Sequence, residues 1–493
     1  MSKIINAKSR FVLRRDPVRL RQQLDEAENY AQWLELAHCH DMAYGLDQWQ
    51  QEESSDLYDH VTIRSRLERL RKARAELDNH GLLFALNEGI HGNMAGMGNP
   101  RLYGVAKAGT KQLIIDYVDE IVAALNYLAS GQASDISTAE KIDFFERASH
   151  CYGRTALMMS GAGTLLYFHL GVIKALWEND ALPQVISGSS GGAFVTGLLG
   201  THTDAEIEKL FSPAHLLEEI HLEVNLWHRI TALRPRQIEL AEVVKSVERL
   251  LPDLTFEEAF KLTGRHINIS VAASEAHQTS RLLNAITSPN VMIREAVLAS
   301  CAVPGFYPPV ALAAKNAAGQ RQAYLPDRKW VDGSVSDDLP SKRLSRLFGV
   351  NHYIVSQINP LASPFIFDTH KYRPLVSTLL NSGQKVSKEV ICSAASLFAD
   401  LVSPQSKLGN LTRIVTSVIR QEYTGDINIF PPSRFSNPFR LLSQRSEAEI
   451  MQLVRAGEQS TWPKIEMIRT QTRVSRTLDR ILPRLQAQGQ AEA

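Results

Sequence analysis

The sequence predicts an α/β protein: a mixed or parallel sheet flanked by helices, with helical regions before and after it. Three observations carry this. The apolar run Thr155-Ala156-Leu157-Met158-Met159 ends in Ser160-Gly161-Ala162-Gly163, is followed by a helix pattern from Leu165 to Trp177, and leads to a second strand at Pro183 to Ser187. Strand, glycine turn, helix and strand make a βαβ unit, whose crossover is expected to be right-handed. Further strands are expected at His266 to Ala272, where Ile267, Ile269 and Val271 alternate, and at Tyr353 to Ile358, with helices filling the gaps.

The flanking regions read as helix. Leu20, Leu24 and Ala27, then Leu67, Leu70, Ala73 and Leu77, sit at helical spacing, and Leu113, Ile114, Tyr117, Ile121, Ala124 and Leu125 form one stripe between about Lys111 and Ala129. A Gly- and Asn-rich stretch from Asn87 to Asn99 reads as a loop, and small polar residues from Ser130 to Thr138 mark a boundary. After Pro360 the pattern is helical again, from Leu375 to Val402 and from Leu411 to Arg420, with a short strand at Asp426 to Phe430 and a charged helical tail from Glu447 to Leu485. The expected organisation is a helical region at 1–150, an α/β domain at 151–360 and a mostly helical region at 361–493.

Composition excludes several classes. The 493 residues are 44% hydrophobic and 22% charged, as in ordinary globular chains. Lys and Arg number 54 against 53 for Asp and Glu, and a net charge of +1 gives no field to gather nucleic acid. The basic run from Arg64 to Arg74 reads as a solvated helix face. Cys39, Cys151, Cys301 and Cys392 form no CxxC pair, so neither a disulfide framework nor a zinc site is expected, and an intracellular setting fits. The first twenty residues carry four arginines and no apolar signal core, and no stretch reaches the roughly 18 uninterrupted apolar residues of a spanning helix. Any contact with lipid is therefore expected at a surface.

The chemistry-bearing motif is Gly188-Ser189-Ser190-Gly191-Gly192, a G-x-S-x-G pentapeptide centred on Ser190. A nucleophilic serine at the top of a sheet occupies a tight, strained strand-to-helix turn where bulky neighbours clash. An apolar strand precedes it and the helix pattern Ala193 to Leu199 follows, so a helix N-terminus faces any alkoxide formed there. A glycine-rich turn with a capping serine is the alternative. Ser189 competes as nucleophile, but choosing it breaks the flanking pattern.

Gly161, Ala162 and Gly163 are small residues between a strand and a helix, where several backbone N–H groups can point at one spot and hold an oxyanion. Comparable donors are worth about 3 to 4 kcal/mol each. The same features could cradle a phosphate, but no Walker lysine follows and Leu166 breaks the dinucleotide fingerprint. A serine needs a base. None of the 15 histidines lies in an obvious site loop, and His169 reads as a helix-packing or loop-holding residue. Asp332, in Lys329-Trp330-Val331-Asp332-Gly333-Ser334, ends an apolar run before a glycine and suits a partly desolvated general base, although an Asp-Gly pair also makes ordinary turns. Asp337 and Asp338 read as solvated or capping.

These pieces, in this order, resemble the patatin-like phospholipase family over about residues 155 to 360. The segments Leu282-Leu283-Asn284, Ser288 to Val291, Ala299 to Phe306, Asp332-Gly333-Ser334 and Asn351 to Pro360 are similar to its triacylglycerol-lipase branch, as are Trp33, Tyr58-Asp59 and Leu82 to Tyr103 to the branch's helical N-terminal domain. The resemblance implies a patatin-like core and a Ser190–Asp332 dyad without histidine. It implies an oxyanion hole at Gly161, Ala162 and Gly163, with Gly188, Gly191, Gly192 and Gly333 as motif glycines. It implies hydrolysis of lipid esters with no metal and no cofactor. Ala162 stands where the family commonly has glycine, and Leu165-Leu166 stand where a small or basic residue often follows.

Acyl transfer to an acceptor lipid and a non-catalytic lipid-binding scaffold are the alternatives. The expected partners are a lipid substrate and, peripherally, a membrane or lipid-droplet surface, with no nucleic acid and a cytoplasmic location. Residues 375 to 402, with Leu379, Leu380, Val386, Leu397 and Phe398 opposite Lys385, Lys388 and Glu389, suit an amphipathic helix that lies in the headgroup layer or packs on the protein's own core.

Overall fold

A computed structural model describes residues 17–90, 92–212, 240–275, 279–359, 424–432, 443 and 445–492. The expected helices at 375–402 and 411–420 lie outside them. The chain divides into two units, one of Met1–Arg154 with Trp462–Ala493 and one of Thr155–Thr461. Of the described residues after 360, those up to Thr461 fall in the second unit and those from Trp462 in the first.

The first unit is helical. Ile63, Leu67 and Leu70 of helix His60–Ala75 are buried, as are Leu113, Ile114, Tyr117 and Ile121 of helix Gln112–Ala129, and the two helices pack together. Helix Thr138–Tyr152, opened by a Ser137/Glu140 capping box, begins where the expected boundary of Ser130 to Thr138 ends. The long helix Ile465–Glu492 packs on it and on Gln112–Ala129, which brings the chain's last helix to its first unit. The basic run lies on the exposed side of its helix, where its arginines also find partners. Arg64 pairs with Glu53, Arg69 with Glu88, and Arg71 and Arg74 with Glu120, so much of its charge is met within the unit.

Among the described residues the second unit has nine strands: β1 Arg154–Met159, β2 Val185–Gly188, β3 His266–Ala273, β4 Arg281–Asn284, β5 Leu312–Lys315, β6 Arg321–Tyr324, β7 Trp330–Asp332, β8 Val350–Ser356 and β9 Ile427–Ile429. The main sheet runs β4-β3-β2-β1-β8-β9, with β7 also on β3, and β5 and β6 form a separate hairpin. Pairs β1–β2, β2–β3 and β8–β9 are parallel, whereas β4 and β7 lie antiparallel to β3, so the sheet is mixed. Strands β4, β5 and β6 were not apparent in the sequence. They are four residues each, too short to show a period of two against turn-rich flanks.

Register decides what meets what. Met159 of β1 lies opposite Gly188 of β2, so the segments after both strands leave the sheet side by side. Gly188 lies opposite Ile269 of β3, and Val271, two residues on, lies opposite Asp332 of β7. Helix Leu166–Glu178 packs on helix Glu447–Thr461, with Lys174 paired to Glu458. No helix among the described residues is long and apolar enough to cross a membrane.

Candidate active site

The site forms beyond the carboxyl ends of β1 and β2, where open α/β sheets place their ligands. Ser190 is the cap of helix Gly191–Thr201, with φ 50° and ψ −124°. A non-glycine residue with positive φ carries roughly 1–3 kcal/mol of strain and needs surroundings that hold it. Those surroundings are visible. The Ser190 N–H donates to Ser300 Oγ at 2.9 Å, and the Ser300 hydroxyl donates to the Ser270 carbonyl at 2.8 Å. The Cys301 thiol lies 3.4 Å from the Ser190 carbonyl as donor; burial, with the nearby Asp332 carboxylate, pushes its pKa up and keeps it protonated. The N–H groups of Ala193 and Phe194 take the same carbonyl into the helix.

The glycines mark close approach. A Cβ on Gly191 would stand 2.8 Å from the Gly163 carbonyl and 3.1 Å from the Cβ atoms of Ala162 and Leu166. One on Gly161 would stand 2.9 Å from Ser334 Cβ and 3.5 Å from Ser190 Cβ. The glycine loop, the serine turn and the Asp-Gly-Ser turn thus converge within one side chain's width. Gly188 ends β2, Gly192 sits against the carbonyls of Met159 and Ser160, and Gly333 opens a 3-10 turn against Ser270.

Asp332 is 1% exposed, and the Ser190 hydroxyl lies near enough to its carboxyl to lower its pKa. Burial raises its pKa from 3.8 to about 6, against the pull of the Ser334 N–H, at 2.8 Å, and of the Ser190 and Ser334 hydroxyls. The ordering is physical: loss of hydration costs the charged form more than these donors return. The result is a carboxylate that is ionised at neutral pH and more basic than one in water.

Asp338 departs from expectation. Read as solvated or capping, it is wholly buried. Its Oδ1 accepts the Gly161 N–H at 2.7 Å and the Ser189 hydroxyl, and its Oδ2 accepts the Asn359 side-chain amide at 3.2 Å. Burial lifts its pKa to about 7, the Asp332 charge adding to the rise, while those three donors oppose it. Two expectations change together. The Gly161 N–H, expected among the oxyanion donors, is turned to Asp338. Ser189, the competing nucleophile, is fully buried and bonded to the same carboxylate. Neighbouring Asp337 pairs instead with Arg343 at 3.2 Å.

His169 holds the loop. Its Nε2 lies 3.0 Å from the Ser160 carbonyl, which can only accept, so Nε2 carries the proton and Nδ1 accepts from Ser356 Oγ at 2.7 Å. Burial lowers its pKa to about 4, so the ring is neutral at physiological pH. Arg445 Nε donates to Thr164 Oγ1 at 3.1 Å on the loop's far side. Ser300, Asp338, Asn359 and Arg445 were not identified from the sequence. Ser300 alone carried a signal: it is the one hydroxyl in the small, apolar run Ala296 to Val303, where a polar side chain must find a buried partner.

An elbow serine at positive φ, a buried carboxyl beside it and a loop of small residues are the parts that nucleophilic attack by a serine would need. Residues 157–344 match the family model described as Patatin-like phospholipase, and residues 10–150 match one described as a domain of unknown function, DUF3336. A patatin-like phospholipase domain-containing protein of Neosartorya fischeri is 33% identical over 93% of this chain and 68% of its own length. Proteins of the same name from Emericella nidulans (33%, 96% and 66%) and Coccidioides immitis (34%, 93% and 66%) are similar to it to the same degree. The chain spans about two thirds of the length of these curated relatives. Among solved structures, VipD from Legionella pneumophila aligns at 14% identity over 64% of this chain and 67% of that one, with a TM-score of 0.31. The chain belongs to the patatin-like phospholipase family, whose membership supports a lipid acyl hydrolase in general terms.

Proposed function

We propose that this chain is a serine lipid acyl hydrolase that cleaves carboxylic esters of acylglycerols or phospholipids through an acyl-enzyme on Ser190, with Asp332 as general base. The observation that carries the reading is Ser190, on a strained turn at a helix N-terminus, beside the buried Asp332 carboxyl, whose pKa burial raises to about 6 against the pull of the Ser190 hydroxyl.

Asp332 takes the Ser190 proton as Oγ attacks the ester carbonyl. The tetrahedral oxyanion meets the N–H groups of Ala162 and Gly163 and the N-terminal end of helix Gly191–Thr201. Collapse breaks the ester C–O bond, and the proton held by Asp332 passes to the leaving alkoxide. Water then attacks the acyl-enzyme, giving its proton to Asp332, and Ser190 leaves as the hydroxyl. Neutral His169 takes no part in this cycle; it fixes the Ser160 carbonyl.

The substrate is a lipid met at a membrane or lipid-droplet surface, with the catalytic domain spanning 151–360 and the helical domain 1–150 before it. The test is labelling by a fluorophosphonate probe, with product profiling on a mixed lipid extract. Wild type is expected to label and to release fatty acid; Ser190→Ala is expected to do neither. Labelling without release from any lipid, with acyl groups moved to an added lysolipid, would replace hydrolysis by transfer. Equal turnover by wild type and Ser190→Ala would refute the Ser190 assignment.

A further inference from the structure

Asp338 is a second wholly buried carboxylate in this site, and the acyl-transfer cycle above does not use it. Its three donors come from three different strand ends. Gly161 follows β1, Ser189 follows β2 and directly precedes Ser190, and Asn359 follows β8. Asn359 is itself held, its N–H donating to Gln357 Oε1 at 3.1 Å. The residue before Asp338 is anchored as well, because the Asp337 N–H donates to the Gly333 carbonyl at 2.9 Å across the 3-10 turn that begins after Asp332. One carboxylate therefore ties the oxyanion loop, the nucleophile turn and the base-bearing turn to one another.

We propose that Asp338 is a positioning residue for acyl transfer. It fixes the Gly161 peptide and Ser189 against each other, and so sets the distance between the amides of Ala162 and Gly163 and the oxygen of Ser190. The proposal rests on the Ser190 reading above. Its physical basis is that Gly161 has no side chain to limit its peptide, so an external acceptor must orient it. An oxyanion hole acts only while its donors stay aimed at the place where charge develops. Loss of aim lowers transition-state stabilisation and leaves ground-state binding, so it is seen in kcat and not in KM.

The experiment measures kcat and KM on p-nitrophenyl butyrate, with thermal unfolding, for wild type, Asp338→Ala, Asp338→Asn, Ser189→Ala, the Ser189→Ala/Asp338→Ala double variant and Ser190→Ala. For Asp338→Ala, kcat is expected to fall on the order of 10²-fold, the range seen when an oxyanion donor is lost, with KM within about twofold. Asp338→Asn, whose Oδ1 still accepts from Gly161, is expected to recover about tenfold of that loss. The double variant is expected to be no slower than Asp338→Ala, because the serine acts through the carboxylate. Folded Asp338→Ala or Asp338→Asn with wild-type kcat, or with raised KM and unchanged kcat, overturns the proposal. Should Asp338→Ala not fold, Asp338→Asn decides, and wild-type kcat in it overturns the proposal. Full activity in Ser190→Ala would instead sink the nucleophile assignment, which separates the two failures.

Discussion

Replacing Asp332 by Asn is expected to stabilise the protein while abolishing its activity, and the size of the gain follows from burial. The carboxyl is 1% exposed, and its pKa rises from 3.8 to about 6 on folding. The folded state therefore prefers the protonated form. The stability this preference contributes is fully present below pH 3.8 and is lost as pH rises to about 6. At roughly 1.4 kcal/mol per tenfold change in proton affinity, the ionised group costs the folded state about 3 kcal/mol above that pH. Asparagine escapes the cost. Its oxygen keeps the Ser334 N–H bond and its amide faces the Ser190 hydroxyl, but an amide cannot take the serine proton. Asp338 is present in both proteins, and loss of the Asp332 charge eases its ionisation as well, which works in the same direction. The assay is denaturant unfolding of both proteins between about pH 8 and pH 4, beside ester turnover. The variant should be about 3 kcal/mol more stable at the alkaline end, with the gap shrinking by about 1.4 kcal/mol per pH unit below about 6. A variant less stable than wild type at about pH 8, or a gap that does not change with pH, would refute the account of Asp332 as a carboxylate held ionised against its burial.

Three further outcomes are expected. The same carboxyl should give kcat/KM an acid limb of one ionisation near pH 6, measured on a soluble ester, since the base must be ionised in the free enzyme. Ser300→Ala strips partners from the buried Ser190 N–H and Ser270 carbonyl, so it should cost about 2 to 4 kcal/mol in unfolding free energy and release the Ser190 turn, lowering kcat; wild-type stability and kcat would show that the turn holds itself. In the segment expected to meet lipid, Leu397→Asp and Phe398→Asp should fold, stop floating with vesicles and still cleave a short soluble ester; normal flotation and activity would remove that segment as the membrane contact.

The local part of this site was legible from the chain alone because its constraints are local. A serine turn between a strand and a helix leaves room only for glycine at Gly188, Gly191 and Gly192, and the loop at Gly161 to Gly163 must be small where it passes Ser190. An apolar strand before each loop and a helix after it are patterns of neighbouring residues, so β1, β2, β3 and β8 could be read at nearly their observed positions. What no neighbouring pattern encodes is which strand lies beside which. The antiparallel placement of β7 on β3 puts Asp332 opposite Val271 and against Ser190, 142 positions away in sequence by their numbers, 332 and 190. The same packing takes Asp338, by its local sequence one more acidic residue before a proline, and buries it among Gly161, Ser189 and Asn359. Burial is a property of the assembled core. Through it, tertiary structure alone decided that Asp332 is raised to about 6, that Asp338 is raised to about 7 and that His169 stays neutral.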